Sequence, residues 1–157
     1  MMQEVLLREL HKNDEGMLYD MLYHSIFVLE GREAPPRDIV YAAELSKYVK
    51  DFGTASDMGY GAFDMAKPIG AAWLRCIKGY GYVNDASPEL SIAVIPDYRG
   101  KGIGTLLLEH LLTKAKTKFS SVSLSVWASN PALRLYQRFG FEKVQEKGNE
   151  VTMLKTF

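Results

Sequence analysis

Residues 89–112 read ELSIAVIPDYRGKGIGTLLLEHLL. The run 89–95 has the apolar, β-branched character of a strand, and Pro96, which cannot donate to a ladder, interrupts it. Residues 102–119 carry Ile103, Leu106, Leu107, Leu111, Leu112 and Ala115 on one broad face at helical spacing. Between strand and helix stand Arg99, Lys101, Gly100, Gly102 and Gly104. A helix start exposes unpaired N–H groups and the positive end of its dipole, and bare backbone lets an anion approach them closely. Residues 99–105 therefore read as an anion cradle, most naturally for a pyrophosphate, with Arg99 and Lys101 adding positive charge at its rim.

Outward from this unit the elements can be placed. Residues 121–127, SVSLSVW, alternate strictly and predict a strand. The preceding strand and helix make it the second half of a right-handed parallel crossover. In NPALRLYQRFG (130–140), Asn130 suits an N-cap, Pro131 the first helical position and Gly140 the C-terminal stop. The remainder, to Phe157, predicts two strands turning at residues 147–149, the last returning antiparallel. Towards the N-terminus, residues 5–10 predict a strand. A helix follows, capped by Asn13 or Asp14, with Met17, Leu18, Met21, Leu22 and Ile26 at helical spacing. Two prolines break the segment 33–38. A second helix is predicted over 38–53, capped by Asp38 and ended before Gly53. Residues 60–65 and 68–77 predict a hairpin, and the Gly-, Asn- and Asp-rich stretch 78–88 a loop. The order is strand, two helices, three strands, helix, strand, helix, two strands: one α/β domain, residues 1–157, around a mixed sheet.

Three known phosphate cradles can be laid on residues 99–105. A Walker loop needs a glycine five residues before Gly100, where Ile95 stands, and Gly102 is not followed by lysine. A dinucleotide fingerprint needs a third glycine where Thr105 stands, and no acid ends the next strand. The acyl-CoA loop needs Arg or Gln, two residues, Gly, one residue, then Gly or Ala. Arg99-Gly100-Lys101-Gly102-Ile103-Gly104 fits it without a gap. Here the chain resembles the GNAT superfamily of N-acetyltransferases. ELSIAVIPDYRGKGIGTLLLEHLL is similar to that family's central strand, loop and helix, NPALRLYQRFGF to its Asn…Tyr…Gly-Phe segment, and the element order agrees from end to end.

The resemblance implies a GNAT fold: a central, mostly antiparallel mixed sheet flanked by about four helices, its parallel strands at 89–96 and 121–127 splayed apart by a bulge in the first. It implies acetyl-CoA as co-substrate, its pantetheine arm paired with backbone at Ile92, Ala93 and Val94. The pyrophosphate is expected on the amides of Gly100, Lys101, Gly102, Ile103, Gly104 and Thr105, beside Arg99. Asn130, a plain N-cap on its own reading, is also expected to touch the arm. In acyl transfer a neutral amine attacks the thioester and a thiolate leaves. The Val94 N–H is the expected oxyanion donor. Tyr136, six residues after Asn130, is the expected proton donor to sulfur, against its plain reading as a core aromatic. Glu89 is the expected base, acting through water, against its plain reading as a solvated charge at a strand end. The alternative function is a catalytically silent acyl-CoA-binding module on the same fold.

The acceptor is expected to be a small-molecule or peptide amine, met by residues 24–38, 53–59 and 78–88, with Trp73, Tyr80 and Tyr82 as candidate walls. Acidic and basic residues balance at 19 each, so no global basic field invites nucleic acid. No run of about 18 apolar residues exists to cross a membrane, and MMQEVLLREL lacks the apolar core of a signal peptide. His11, His24 and His110 are scattered without partners at metal spacing, so no metal is expected. The single cysteine, Cys76, excludes an intrachain disulfide, suits a cytoplasmic location and is expected to be buried. Family habit also implies a possible homodimer.

Overall fold

The computed structural model describes residues 4–157. Seven strands form one sheet in the order β1-β2-β3-β4-β5-β7-β6. They are β1 (Val5–Glu9), β2 (Met58–Asp64), β3 (Lys67–Arg75), β4 (Glu89–Val94), β5 (Ser121–Trp127), β6 (Glu142–Lys147) and β7 (Glu150–Thr156). The helices are α1 (Glu15–Ser25), α2 (Ala43–Ser46), α3 (Ile103–Ala115) and α4 (Ala132–Arg138). Every neighbouring pair is antiparallel except β4 with β5. The expected mixed sheet and its parallel pair are therefore present.

The period-2 alternation sorts side chains to the two faces. Leu90, Val122, Leu124 and Val126 join Leu107, Leu108, Leu111 and Tyr136 in the core beneath α3. Ala71, Trp73 and Ala93 face the other way and pack with Leu18, Leu22, Val49 and Phe52. The sheet thus lies between two layers. The outer strand β6 is exposed along its length, carries four charged residues and is irregular against β7 between Lys143 and Gln145. Charge and irregularity of this kind discourage edge-to-edge pairing.

The predicted helix over 38–53 is broken. A 3-10 turn covers Arg37–Tyr41, Ala42 is extended at ψ 144°, α2 has four residues, and turns follow to a left-handed Asp51. Tertiary bonds outcompete the helical ladder here. The buried Arg75 guanidinium takes the carbonyls of Lys47 (3.0 Å) and Lys50 (2.7 Å) and pairs with Asp57 at 3.2 Å. Asp57 in turn accepts from the N–H groups of Gly53 and Thr54. The Trp73 indole donates to the Tyr48 carbonyl at 2.8 Å. Cys76, expected in the interior, is exposed because β3 ends one residue earlier.

Candidate active site

Strands β4 and β5 meet at a single parallel pair, Glu89 with Ser123. The Ser123 N–H donates to the Pro88 carbonyl at 3.0 Å. Beyond that point the strands separate. The expected bulge is not the visible cause: β3 and β4 stay in register from Glu89 to Val94 without a shift.

That register fixes which backbone groups face the gap. The Ile95 N–H donates to Ile69 on the β3 side. Bonded pairs alternate along an antiparallel ladder, so residues 89, 91 and 93 turn their backbone groups to β3. Leu90, Ile92 and Val94 turn theirs towards β5. The Arg99 Nε donates to the Val94 carbonyl at 2.8 Å, which agrees with that assignment. The N–H groups of Ile92 and Val94 are thereby presented along an open edge. Ala93, with its backbone turned to β3, adds only wall.

The glycine stretch continues that edge. Gly100 and Gly102 have φ of +73° and +83°, left-handed values that suit glycine, and a Cβ on either would meet nothing within 4 Å. Gly102 is the N-cap of α3, with no side-chain cap and no acid in the first turn. Leu106 is the first residue to donate back, to the Gly102 carbonyl. Among the described residues the N–H groups of residues 100–105 have no protein acceptor. Six donors at a helix start are thus left for an anion. Lys101 lies with its ammonium 5.7 Å from the Tyr98 ring centre. Arg99 is not a loose rim charge: besides Val94, its guanidinium donates to the His24 carbonyl at 3.1 Å, bracing α1 against β4.

A cleft of about 620 Å³ runs beside this edge, lined among others by Ile92, Val94, Arg99, Gly104, Asn130 and Tyr136. A second cavity of about 380 Å³ adjoins it and shares Ile92, Asn130 and Tyr136. Asn130 caps α4, its Oδ1 accepting from the Ala132 N–H at 2.9 Å, and still lines both spaces. Tyr136 is 8% exposed. Burial alone pushes its phenol well above the ordinary range, so the hydroxyl stays protonated.

Glu89 is not a solvated strand end; it is 2% exposed. Its carboxylate accepts from the N–H groups of Gly79 (2.6 Å) and Gly81 (2.8 Å) and from the Tyr48 hydroxyl (3.0 Å). The Tyr48 hydroxyl also accepts from the Tyr80 N–H at 2.7 Å. Burial raises the Glu89 carboxyl above the usual carboxylate range, opposed by the N–H bonds from Gly81 and Gly79 and the Tyr48 hydroxyl. Burial and the neighbouring Glu89 charge likewise drive the Tyr48 phenol upward.

Sequence reasoning missed Tyr48, which lies inside the predicted 38–53 helix without a signal of its own. It also gave the 53–59 segment to the acceptor, whereas residues 53, 54 and 57–59 line a separate cleft with His11 and Lys114. Of the three candidate wall aromatics, Tyr80 lines the cavity, Trp73 is sealed in the core, and Tyr82 bonds Asp85 elsewhere. Among the described residues no group of three His, Cys, Asp or Glu side chains is placed to hold a metal ion.

Comparison with known proteins gives this architecture its family. Residues 56–143 match the family described as acetyltransferase (GNAT) domain. The chain belongs to the GNAT acetyltransferase family. It is 38% identical over 69 residues to the [Ribosomal protein bS18]-alanine N-acetyltransferase of Salmonella typhimurium, covering 43% of this chain and 47% of that protein. It is 45% identical over 51 residues to the mouse cysteine-rich protein 2-binding protein, covering 32% of this chain and 6% of that one. The chain thus spans about half or far less of the length of these relatives. In fold it is similar to the PaiA N-acetyltransferase of Thermoplasma acidophilum, solved in complex with coenzyme A. The TM-score is 0.72 at 23% identity, over 99% of this chain and 100% of that one.

Proposed function

We propose that the protein transfers the acetyl group of acetyl-CoA to a primary amine of a small molecule or peptide, by direct attack in a ternary complex. One observation carries the reading. An open strand edge, presenting the Ile92 and Val94 N–H groups, leads directly into six unpaired amides at residues 100–105. The coenzyme A bound to the structural relative and the acetyltransferase activities named for the family's members agree with it. The whole chain acts as one domain, and its lone exposed thiol suits the cytoplasm.

In this reading the amides of residues 100–105 hold the pyrophosphate, with Lys101 near it. Charge-assisted bonds of this kind contribute about 1.5–3 kcal/mol each. Ile92 pairs with the pantetheine arm, and the Asn130 amide touches it. The Val94 N–H donates to the thioester oxygen as negative charge gathers there. Glu89 takes the proton from the incoming ammonium through a chain of waters, since five strand residues, about 16 Å, separate it from Val94. A raised carboxyl is a better match for an amine than an ordinary one. The neutral nitrogen then forms the C–N bond as the C–S bond breaks; Tyr136 gives its proton to the departing sulfur and is restored by the second proton, which the acylated nitrogen sheds as it becomes the amide.

The test is release of free CoA thiol from acetyl-CoA across a panel of primary amines, beside calorimetric titration of acetyl-CoA alone. Saturable binding with amine-dependent release is expected. Tight binding with no release on any amine would instead establish the silent acyl-CoA-binding module. Absence of binding would overturn both.

A further inference from the structure

The 380 Å³ cavity holds more than the reacting groups. Its far wall is formed by Tyr80 from the 78–88 loop, Trp127 at the end of β5 and Glu150 at the start of β7. Trp127 and Glu150 are direct cross-strand partners. Tyr80 is 51% exposed and Trp127 38%, high values for aromatics that line a concave space. Ile26, Phe27 and Ile39 add apolar lining to the same cavity.

The wall is built rather than incidental. Tyr80 sits between Gly79 and Gly81, whose N–H groups are both bound by the buried Glu89 carboxylate. Its own N–H is bound by Tyr48. A Cβ on Gly79 would collide with the Tyr48 hydroxyl, and one on Gly81 would stand 2.6 Å from the Leu124 carbonyl carbon. Three consecutive amides are therefore clamped, and the side chain between the two glycines is the part left to face the cavity. Glu150 has no salt-bridge partner among the described residues, although Lys147 lies opposite it across the hairpin. The Lys47 ammonium, close enough to act on Glu89, is turned to the Lys78 carbonyl. Burial raises the Tyr80 phenol above its ordinary value, and the negative charges of Glu44 and Glu150 add to that.

We propose that this wall selects the acceptor: an amine with an apolar stem that carries a second positive charge, held by Glu150 between the rings of Tyr80 and Trp127. The inference rests on the acetyl-transfer reading and names its substrate class. The apolar stem follows from Ile26, Phe27 and Ile39. The distal cation follows from an unpaired carboxylate beside two exposed aromatic faces, which attract cations. Glu89 then has a positioning duty besides any part in proton transfer, because it fixes the loop that presents Tyr80.

Three amines of equal stem length test this: hexylamine, 1,6-diaminohexane and 6-aminohexanoate, with neutral, cationic and anionic far ends. Each is titrated calorimetrically into protein saturated with CoA, and each is assayed for CoA release from acetyl-CoA. The diamine is expected to bind about five- to tenfold more tightly than hexylamine, beyond the factor of about two for its equivalent ends, and the aminohexanoate more weakly than both. Glu150→Gln should shrink the diamine's advantage to that statistical factor, and Tyr80→Ala should raise KM for the diamine with kcat within about twofold. Equal binding of all three, a preference for the anion, no binding of any, or an advantage untouched by Glu150→Gln would overturn the inference. Binding in the expected order without CoA release would leave it standing and overturn the catalytic reading instead.

Discussion

Along the β4–β5 gap the groups offered to a ligand are backbone N–H groups, at residues 92, 94 and 100–105. In the adjoining cavity they are side chains: Tyr80, Trp127 and Glu150. The two regions share Tyr136 and Asn130 but are held in shape by different means. The first needs only regular elements, a strand end, a glycine turn and a helix start. The second depends on single long-range contacts, Glu89 to the glycine loop and Arg75 to the 47–57 segment. Main-chain donors suit a ligand that stays the same, and side chains suit one that differs from relative to relative.

The contrast can be broken at the backbone side first. Gly102→Glu places bulk and negative charge where φ is +83° and the space is open, and acetyl-CoA affinity should fall by roughly a thousandfold, about 4 kcal/mol. Calorimetry reads the loss, and unchanged melting should accompany it to within a few degrees.

On the other side, Arg75→Met leaves Asp57 without its cation and three carbonyl contacts unmade. About 3 kcal/mol of stability should be lost, lowering Tm by roughly 6–12 °C. Where the protein still folds, acceptor KM should suffer before acetyl-CoA affinity.

At the shared boundary, Tyr136→Phe should lower kcat by about a hundredfold while acetyl-CoA binds as before. An unchanged kcat would take the hydroxyl out of the reaction.

The smallest effect is read in the pH profile. Burial raises the Glu89 carboxyl, so its proton-free form is reached only above the ordinary carboxylate range. Below that raised value kcat/KM should fall about tenfold per pH unit, and Glu89→Gln should abolish this limb along with most of the rate. Stability runs the other way. The folded chain holds this proton more tightly than the unfolded one, so the contribution of Glu89 is greatest below about pH 4.3. It declines as pH rises to the folded value and is constant above it.

The same division decides what could be read in advance. The glycine stretch before α3, the strict alternation of 121–127 and the Asn130–Gly140 segment are local signals, and the elements they mark lie where the spacing predicts. The helix predicted over 38–53 rests on its end signals, Asp38 and Gly53, and these do not show that Arg75 takes carbonyls in between. Tyr48 was invisible as a site residue for the same reason: its partner, Glu89, is 41 residues away. Helical spacing puts Leu106 on the buried face of α3 and leaves Leu108 off it, yet Leu108 is sealed and Leu106 only half-buried. The state of Glu89, sealed rather than solvated, was set by a loop whose sequence shows only that it turns.

If bare peptide donors grip acetyl-CoA, their exchange with solvent must slow when it binds. Residue-resolved amide hydrogen exchange, with and without saturating acetyl-CoA, tests this directly. The N–H groups of Ile92, Val94 and residues 100–105 should slow by at least about tenfold on binding, while those of the separate cleft at residues 53–59 stay as they were. Binding without protection at residues 100–105 would contradict the account.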